Sequence, residues 1–485
     1  MEVVQGCAQG KLRAKVNSIL MNIADHCTSL AIGICWVPAQ LIPDPVFGFA
    51  EYVGALALLA VVYTVTDIRY RFRLQSAPIP LGLVTYILTA FIGASTLISD
   101  VWSRNGWLVP QSSISYATWQ GVLGALFLIL ILTWLWYAFI RPPVFGPTNY
   151  KQYAQALYRI VVRGSETELA AIADELRLSV KPLLRTTLPR QRRRVKQEVQ
   201  EMSAREKRFR GYAHDVLLLI GDRKLCRNLV KSAPNTAIAL FETAVELGQF
   251  HAPISQFARN VSTEAILNED SNIYHEDEGY EVGLLGYIKP FSRAVYGHYR
   301  LVEGIGDGAL SISYKVTGSW NSRQYAAYVK CALVTVEAYL TANCWGLRSQ
   351  ALIDAVRIVK GSLGDTHKLG QLEESYRTEP FQRLQTTLDF VREALDLLGK
   401  QNPVPQPRTE GPADRGEWDL YDYLADLALE TIWAVSRIEG PNDTWHIHYG
   451  MVYSTFFKGF GRDNTAWDTF QYKLIKTGLG GDQID

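Results

Sequence analysis

Between Asn105 and Ile140 the chain carries no charged residue. The later part of this run, 117–140, reads ATWQGVLGALFLILILTWLWYAFI. It is about 24 residues long, and a helix needs about 20 to cross the ~30 Å hydrocarbon layer of a bilayer. Such a helix is apolar on every face, which a soluble domain tolerates only deep in a large core. Trp119, Trp134, Trp136 and Tyr137 lie toward its ends, where amphipathic rings favour the membrane–water interface. Arg141, Pro142 and Pro143 close it.

Other apolar segments precede it. Residues 79–98 (IPLGLVTYILTAFIGASTLI) carry no charge, and Gly82, Gly93, Ala94 and Ser95 are small enough for close helix packing in lipid. Residues 46–66 contain one acid, Glu51. A fourth and weaker segment, 28–42, is short; extending it backward takes in Asp25 and His26. It reads as a span or as an interfacial or re-entrant piece. Asp25 and His26 also interrupt any signal-peptide pattern, so a cleaved leader is not expected. Asp25, His26 and Glu51 are the intramembrane ionisable candidates, because such groups in a span usually face a bundle interior or an aqueous cavity. For Glu51 a passive interfacial position competes with an ion pathway.

Lys and Arg flanking the segments set the expected orientation. Lys11, Arg13 and Lys15 stand ahead of the first, and Arg69, Arg71 and Arg73 follow the 46–66 segment. The connection after Ile98 has only Arg104 against Asp100, whereas Arg141, Lys151, Arg159 and Arg163 follow the last. The positive-inside rule then predicts four spans in a cell membrane, with both termini cytoplasmic. That count holds only if 28–42 crosses.

Beyond residue 145 the pattern changes to helical periodicity. Leu157, Ile160 and Val161 share a face, and Leu169, Ile172, Ala173 and Leu176 form the next, after Glu166 and Glu168 in an acidic first turn. Tyr325, Tyr328, Val329, Ala332, Leu333, Val336, Tyr339 and Leu340 make a wide stripe. Phe381, Leu384, Leu388, Val391, Leu395 and Leu398 form a heptad-like seam too short to require a coiled coil. Residues 309–316 (ALSISYKV) alternate like a strand. The expected fold is mostly α, with N-terminal polytopic transmembrane helices (1–145) followed by a large helical cytosolic domain (150–400). A Pro-rich linker (401–417) sets off a C-terminal helical subdomain (418–485), whose first helix has Asp419 as an apt N-cap.

The 49 basic and 48 acidic residues nearly balance, so nothing global favours nucleic acid. The six cysteines show no zinc spacing and fit a reducing cytosol, acting as small buried hydrophobes. Arg190, Arg192, Arg193, Arg194 and Lys196 form the densest basic cluster. They suit anionic lipid headgroups, nucleic-acid phosphates, or a solvated helix face paired with Glu198, Glu201 and Glu206. The acidic run 268–281 has His275 where a calcium loop requires glycine. Gly304, Gly306 and Ala309 match GxGxxA outside a strand–helix context. His446 and His448 are weak metal candidates, since histidines two apart share a strand face but not a helix face. His214-Asp215 resembles a phosphohydrolase dyad only as a dipeptide.

With no catalytic signature and no cofactor motif, the function expected is a non-enzymatic sensor or effector. Its cytosolic helices would bind a ligand or partner and act on the spans. The alternatives are an oligomeric channel with Glu51 lining the path, and a membrane-anchored metal-dependent hydrolase using His446 or His448. The expected partners are the bilayer, anionic headgroups, and a second copy or another protein.

Overall fold

The later part of the uncharged run, 117–140, is helical and is one of several helices in the first of two compact units, Met1–Pro143 and Val144–Asp485. The computed structural model describes residues 28–29, 35–38, 47–65, 67–110, 116–187, 203–276, 281–282, 286–287, 291–344, 348–372, 375–401, 403–405, 418–440, 444–457 and 465–478.

In the first unit, helix α1 (Phe49–Val65) is followed by the short α2 (Ile68–Gln75), then α3 (Leu81–Arg104) and α4 (Tyr116–Leu135). A π-helical turn, Trp136–Ile140, extends α4 up to Arg141 and the prolines. The helices α1, α3 and α4 run antiparallel in sequence. The Phe49 N–H at the start of α1 donates to Asp100 Oδ2 near the end of α3, at 2.9 Å. Trp134 Nε1 late in α4 donates to Thr85 Oγ1 early in α3, at 3.2 Å. Tyr52, Ile92, Leu123 and Phe127 bury one another where the three helices meet. Gly93 permits the closest approach: a Cβ there would stand 2.7 Å from the Tyr52 ring.

The 28–42 segment departs from its expectation as a span. Its described residues are extended: β1 (Thr28–Ser29) pairs with β2 (Cys35–Pro38), and β2 pairs with β3 (Leu108–Pro110), all antiparallel. Trp36 and Val37 are strand formers, and Pro38 lacks the N–H a continuing helix needs. Because β3 lies between α3 and α4, Cys35–Pro38 stay at the α3 C-terminal end of the bundle instead of crossing it. The four-span count therefore loses its first member over these residues. Asp25 and His26 lie outside the described residues.

Among its described residues the second unit is mostly helical. Its first helices are α5 (Tyr150–Arg163), α6 (Glu166–Thr186), α7 (Ala204–Leu219), α8 (Arg223–Ser232), α9 (Pro234–Glu246) and α10 (Ser255–Leu267). The acidic first turn of α6 closes a capping box, with Ser165 and Glu168 each accepting the other's backbone N–H. A two-residue ladder, β4 (Glu281–Val282) with β5 (Gly286–Tyr287), precedes α11 (Phe291–Tyr296) and α12 (Tyr299–Ile305). Then come α13 (Ser322–Thr341), α14 (Gln350–Gly361), α15 (Glu379–Gly399), α16 (Leu420–Ser436) and α17 (Thr465–Gly478).

The aromatic stripe of α13 is buried at Tyr325, Tyr328, Val336 and Tyr339, and it packs on α15. The seam of α15 is buried at Leu384, Leu388, Val391, Leu395 and Leu398, and this serves a bundle within one chain. Two expectations are corrected here. Residues 309–316 form no strand: Ser313 starts a helical turn, Tyr314–Thr317, because a lone strand has no ladder partner for its N–H groups. The C-terminal subdomain expected over 418–485 is not set apart over its described residues either. Helix α16 packs on α14 and α17 packs on α15, so the C-terminal helices complete the same core as the rest of the unit. Asp419 caps α16 through a capping box with Asp422, and the Tyr421 hydroxyl ties the Pro405 carbonyl to the unit at 3.0 Å.

Candidate functional site

The helices of the first unit turn apolar side chains outward. Two of them, Leu81–Arg104 and Ala117–Ile140, are long and apolar enough to cross a membrane, and a shorter apolar helix covers Phe49–Val61. Only 17% of the most apolar stretch of the first and 28% of that of the second is buried. A core helix of a soluble protein of this hydropathy would be mostly covered. Leu58 is 69% exposed and Tyr86 72%, and Leu83, Ile87, Ile98, Leu128, Ile129 and Leu132 are exposed with them. Contiguous apolar surface on this scale is characteristic of a lipid- or protein-contacting face.

Several hydroxyls along these helices donate to backbone carbonyls within the unit. The Tyr52 hydroxyl donates to Thr89 O at 2.8 Å, Thr96 Oγ1 to Gly93 O at 3.0 Å, and Thr133 Oγ1 to Ile129 O at 2.8 Å.

The two ends of the bundle differ in charge. At one end Arg69, Arg71 and Arg73 lie on α2, and Arg73 Nη1 donates to the Ala138 carbonyl of the π-helical turn at 2.6 Å. That bond brings the α2 arginines and Arg141 to the same end. Tyr63 and Tyr70 stack under Arg71 and Arg73. At the other end are Glu51, Asp100 and Arg104, with Trp102 and Trp107 in edge contact at 4.8 Å. Glu51 has a specific task there: its Oε2 accepts the Gly48 N–H at 2.9 Å. With Asp100 on Phe49 N, two carboxylates occupy the N–H groups that open α1 and complement its dipole. Sequence reasoning singled out Glu51 but missed Asp100 as its companion, because the pairing depends on how α1 and α3 pack.

The remaining expected residues are not brought together. Arg190, Arg192, Arg193, Arg194 and Lys196 lie outside the described residues. His446 and His448 occupy a π-helical segment, His446–Tyr453. Both ring nitrogens of His448 lie near backbone carbonyls, Thr444 O at 3.0 Å and Val435 O at 3.1 Å, and a neutral imidazole donates to one of them at a time. His446 lies near the Phe381 ring instead. Among the described residues no three of His, Cys, Asp or Glu converge as a metal site. His214 and Asp215 are exposed on α7. In the acidic run, Glu269 accepts from Asn321 Nδ2 at 2.7 Å and from Arg323 at 3.0 Å, while Glu276 accepts from the Ser292 N–H at 2.8 Å. These carboxylates hold elements of the fold together. Burial pushes the Glu276 carboxyl above its ordinary range, against the lowering effect of the Ser292 bonds and of Lys330.

Cys226 and Cys331 are fully buried, and burial raises both thiols well above the ordinary range. They act as small core hydrophobes.

Several hollows open on the second unit. A groove of about 840 Å³ lies between α5 and α7, lined by Tyr158, Arg159, Val162, Tyr212 and Leu218. A second, of about 500 Å³, lies at the corner between α11 and α12, and a smaller one of about 130 Å³ lies beside Trp320 and Arg383. Compared with known protein families, with curated proteins and with solved structures, the chain matches none.

Proposed function

We propose that this chain is an integral membrane protein in which α1, α3 and α4 cross the bilayer, and that its second unit is a cytosolic sensor or effector module. The observation that carries the reading is the outward apolar face of α3 and α4, which water would not tolerate and lipid would cover. α1 has 17 residues, at the short end of what spans a bilayer, and its Arg-bearing continuation α2 suits the headgroup level. The arginine-rich end, with Arg69, Arg71, Arg73 and Arg141, faces the cytosol by the positive-inside rule. Glu51, Asp100 and the β2–β3 strands then face the opposite side. The chain leaves α4 at Arg141 on the cytosolic side, so the second unit follows there. No observation favours the channel alternative, since Glu51 serves as a helix cap. None favours the metal hydrolase, since His448 sits between two backbone carbonyls.

Sided labelling tests the arrangement. An Asn105→Cys variant is expected to react with a membrane-impermeant maleimide added to intact cells. A Lys231→Cys variant is expected to react only after permeabilisation, each judged against the unmodified chain. The reverse pattern overturns the orientation, and equal labelling of both in intact cells overturns the span assignment.

A further inference from the structure

The corner between α11 and α12 places two arginines on one hollow. α11 ends at Tyr296 and α12 starts at Tyr299, so Gly297 and His298 alone make the turn. Arg293 and Arg300 lie on either side of it and both line the cavity of about 500 Å³. Across from them the α13 residues Val334, Glu337, Ala338 and Thr341 recur at helical spacing and form the opposite wall. Among the described residues no carboxylate lies within ion-pair distance of either guanidinium, so both exposed forks are open to a ligand.

A second observation points the same way. His298 also lines the cavity, its ring stacked on Phe250 with centroids 5.4 Å apart. Its Nδ1 is buried and has no hydrogen-bond partner among the described residues. Because Nδ1 has no accessible surface, a ligand in the hollow meets the other edge of this ring, where an imidazole N–H can donate to an anion. Two guanidinium forks outweigh the single carboxylate of Glu337. Planar forks of this kind match phosphate and carboxylate geometry. The volume falls within the range of small-molecule sites, and the aliphatic wall from α13 suits an uncharged portion of the ligand.

We propose that this hollow binds an anionic small molecule through a phosphate or carboxylate group held by Arg293, Arg300 and His298, with its uncharged part against α13. The proposal deepens the sensor reading by naming the ligand class. It is tested in detergent solution, so failure of the membrane assignment leaves the test intact.

The test follows thermal unfolding of the full chain while AMP, inorganic phosphate, adenosine or a short-chain phosphatidic acid is titrated. The proposal expects stabilisation by at least one phosphate-bearing probe and none by adenosine. A response to AMP or inorganic phosphate identifies a soluble source, and a response to the lipid alone identifies a headgroup. Arg293→Gln with Arg300→Gln is expected to weaken binding roughly ten- to hundredfold, with Arg293→Lys and Arg300→Lys keeping part of it, because charge-assisted bonds are being removed. Both arginines have exposed side chains, so the substitutions leave the core intact. Absence of stabilisation by every probe, stabilisation by adenosine equal to that by AMP, or unchanged affinity in the double glutamine variant overturns the proposal.

Discussion

Glu276 shows how a single side chain ties distant elements together at a cost. Its carboxylate accepts from both the backbone and the hydroxyl of Ser292, joining the end of the acidic run to the start of α11. Burial nevertheless raises its pKa, so desolvation outweighs the Ser292 bonds and the pull of Lys330. The sign of the pH effect follows. In the unfolded chain the group titrates in the ordinary carboxylate range, whereas the folded chain holds its proton to higher pH. Its contribution to stability is therefore complete below the ordinary range and is lost as pH rises through the raised value. Glu276→Gln keeps the neutral form at every pH. It is expected to unfold at a slightly higher temperature than the parent at neutral pH, with the gap closing as the pH is lowered to about 4. A gap that widens on acidification would show that the carboxylate is net stabilising. Glu51 and His448 teach a related lesson. Both stand out in the sequence as chemistry-bearing residues. In the fold one caps a helix and the other sits between two backbone carbonyls, because backbone groups compete for any polar side chain within reach.

Among the elements, α3 carries the packing of the first unit through Gly93. The Tyr52 ring occupies the space a side chain would take, and its hydroxyl reaches Thr89 O. Gly82 of the same helix and Gly54 of α1 have no atom within 4 Å of an added Cβ. Gly93→Val is therefore expected to destabilise the detergent-solubilised protein by about 1–3 kcal/mol through overpacking, and Gly54→Val or Gly82→Val by much less. Equal effects at the three positions, measured by thermal unfolding, would mean that α1 does not pack on α3 at this point.

Element type was legible wherever periodicity ran long. The uncharged run 117–140, the stripe on α13 and the seam on α15 are all helices, because burial or lipid imposes one pattern over many turns. The 28–42 segment and residues 309–316 were misread for opposite reasons. Residues 36–38 found strand partners far along the chain, at 108–110, which no local window contains. Residues 309–316 had alternation but no partner, so a turn formed instead.

For the whole molecule, sequence reasoning located the change from apolar to polar helices close to Pro143, because charge density and hydropathy shift together there. It separated 418–485 from the rest because the prolines at 403, 405 and 407 looked like a linker. Chain continuity says nothing about which helix faces later meet, and α16 and α17 close the same core as α14 and α15. The Arg293–His298–Arg300 hollow was invisible for the same reason. Those residues form no motif in the chain, and only the bend at Gly297 and the wall of α13 bring them to one cavity.

The central claim is that lipid covers the outward apolar faces of α3 and α4. Alkaline carbonate washing of membranes from cells making the full chain, followed by centrifugation, tests it most directly. The account predicts that the protein stays in the pellet and enters solution only with detergent. Recovery of folded, monodisperse protein in the carbonate supernatant would contradict it.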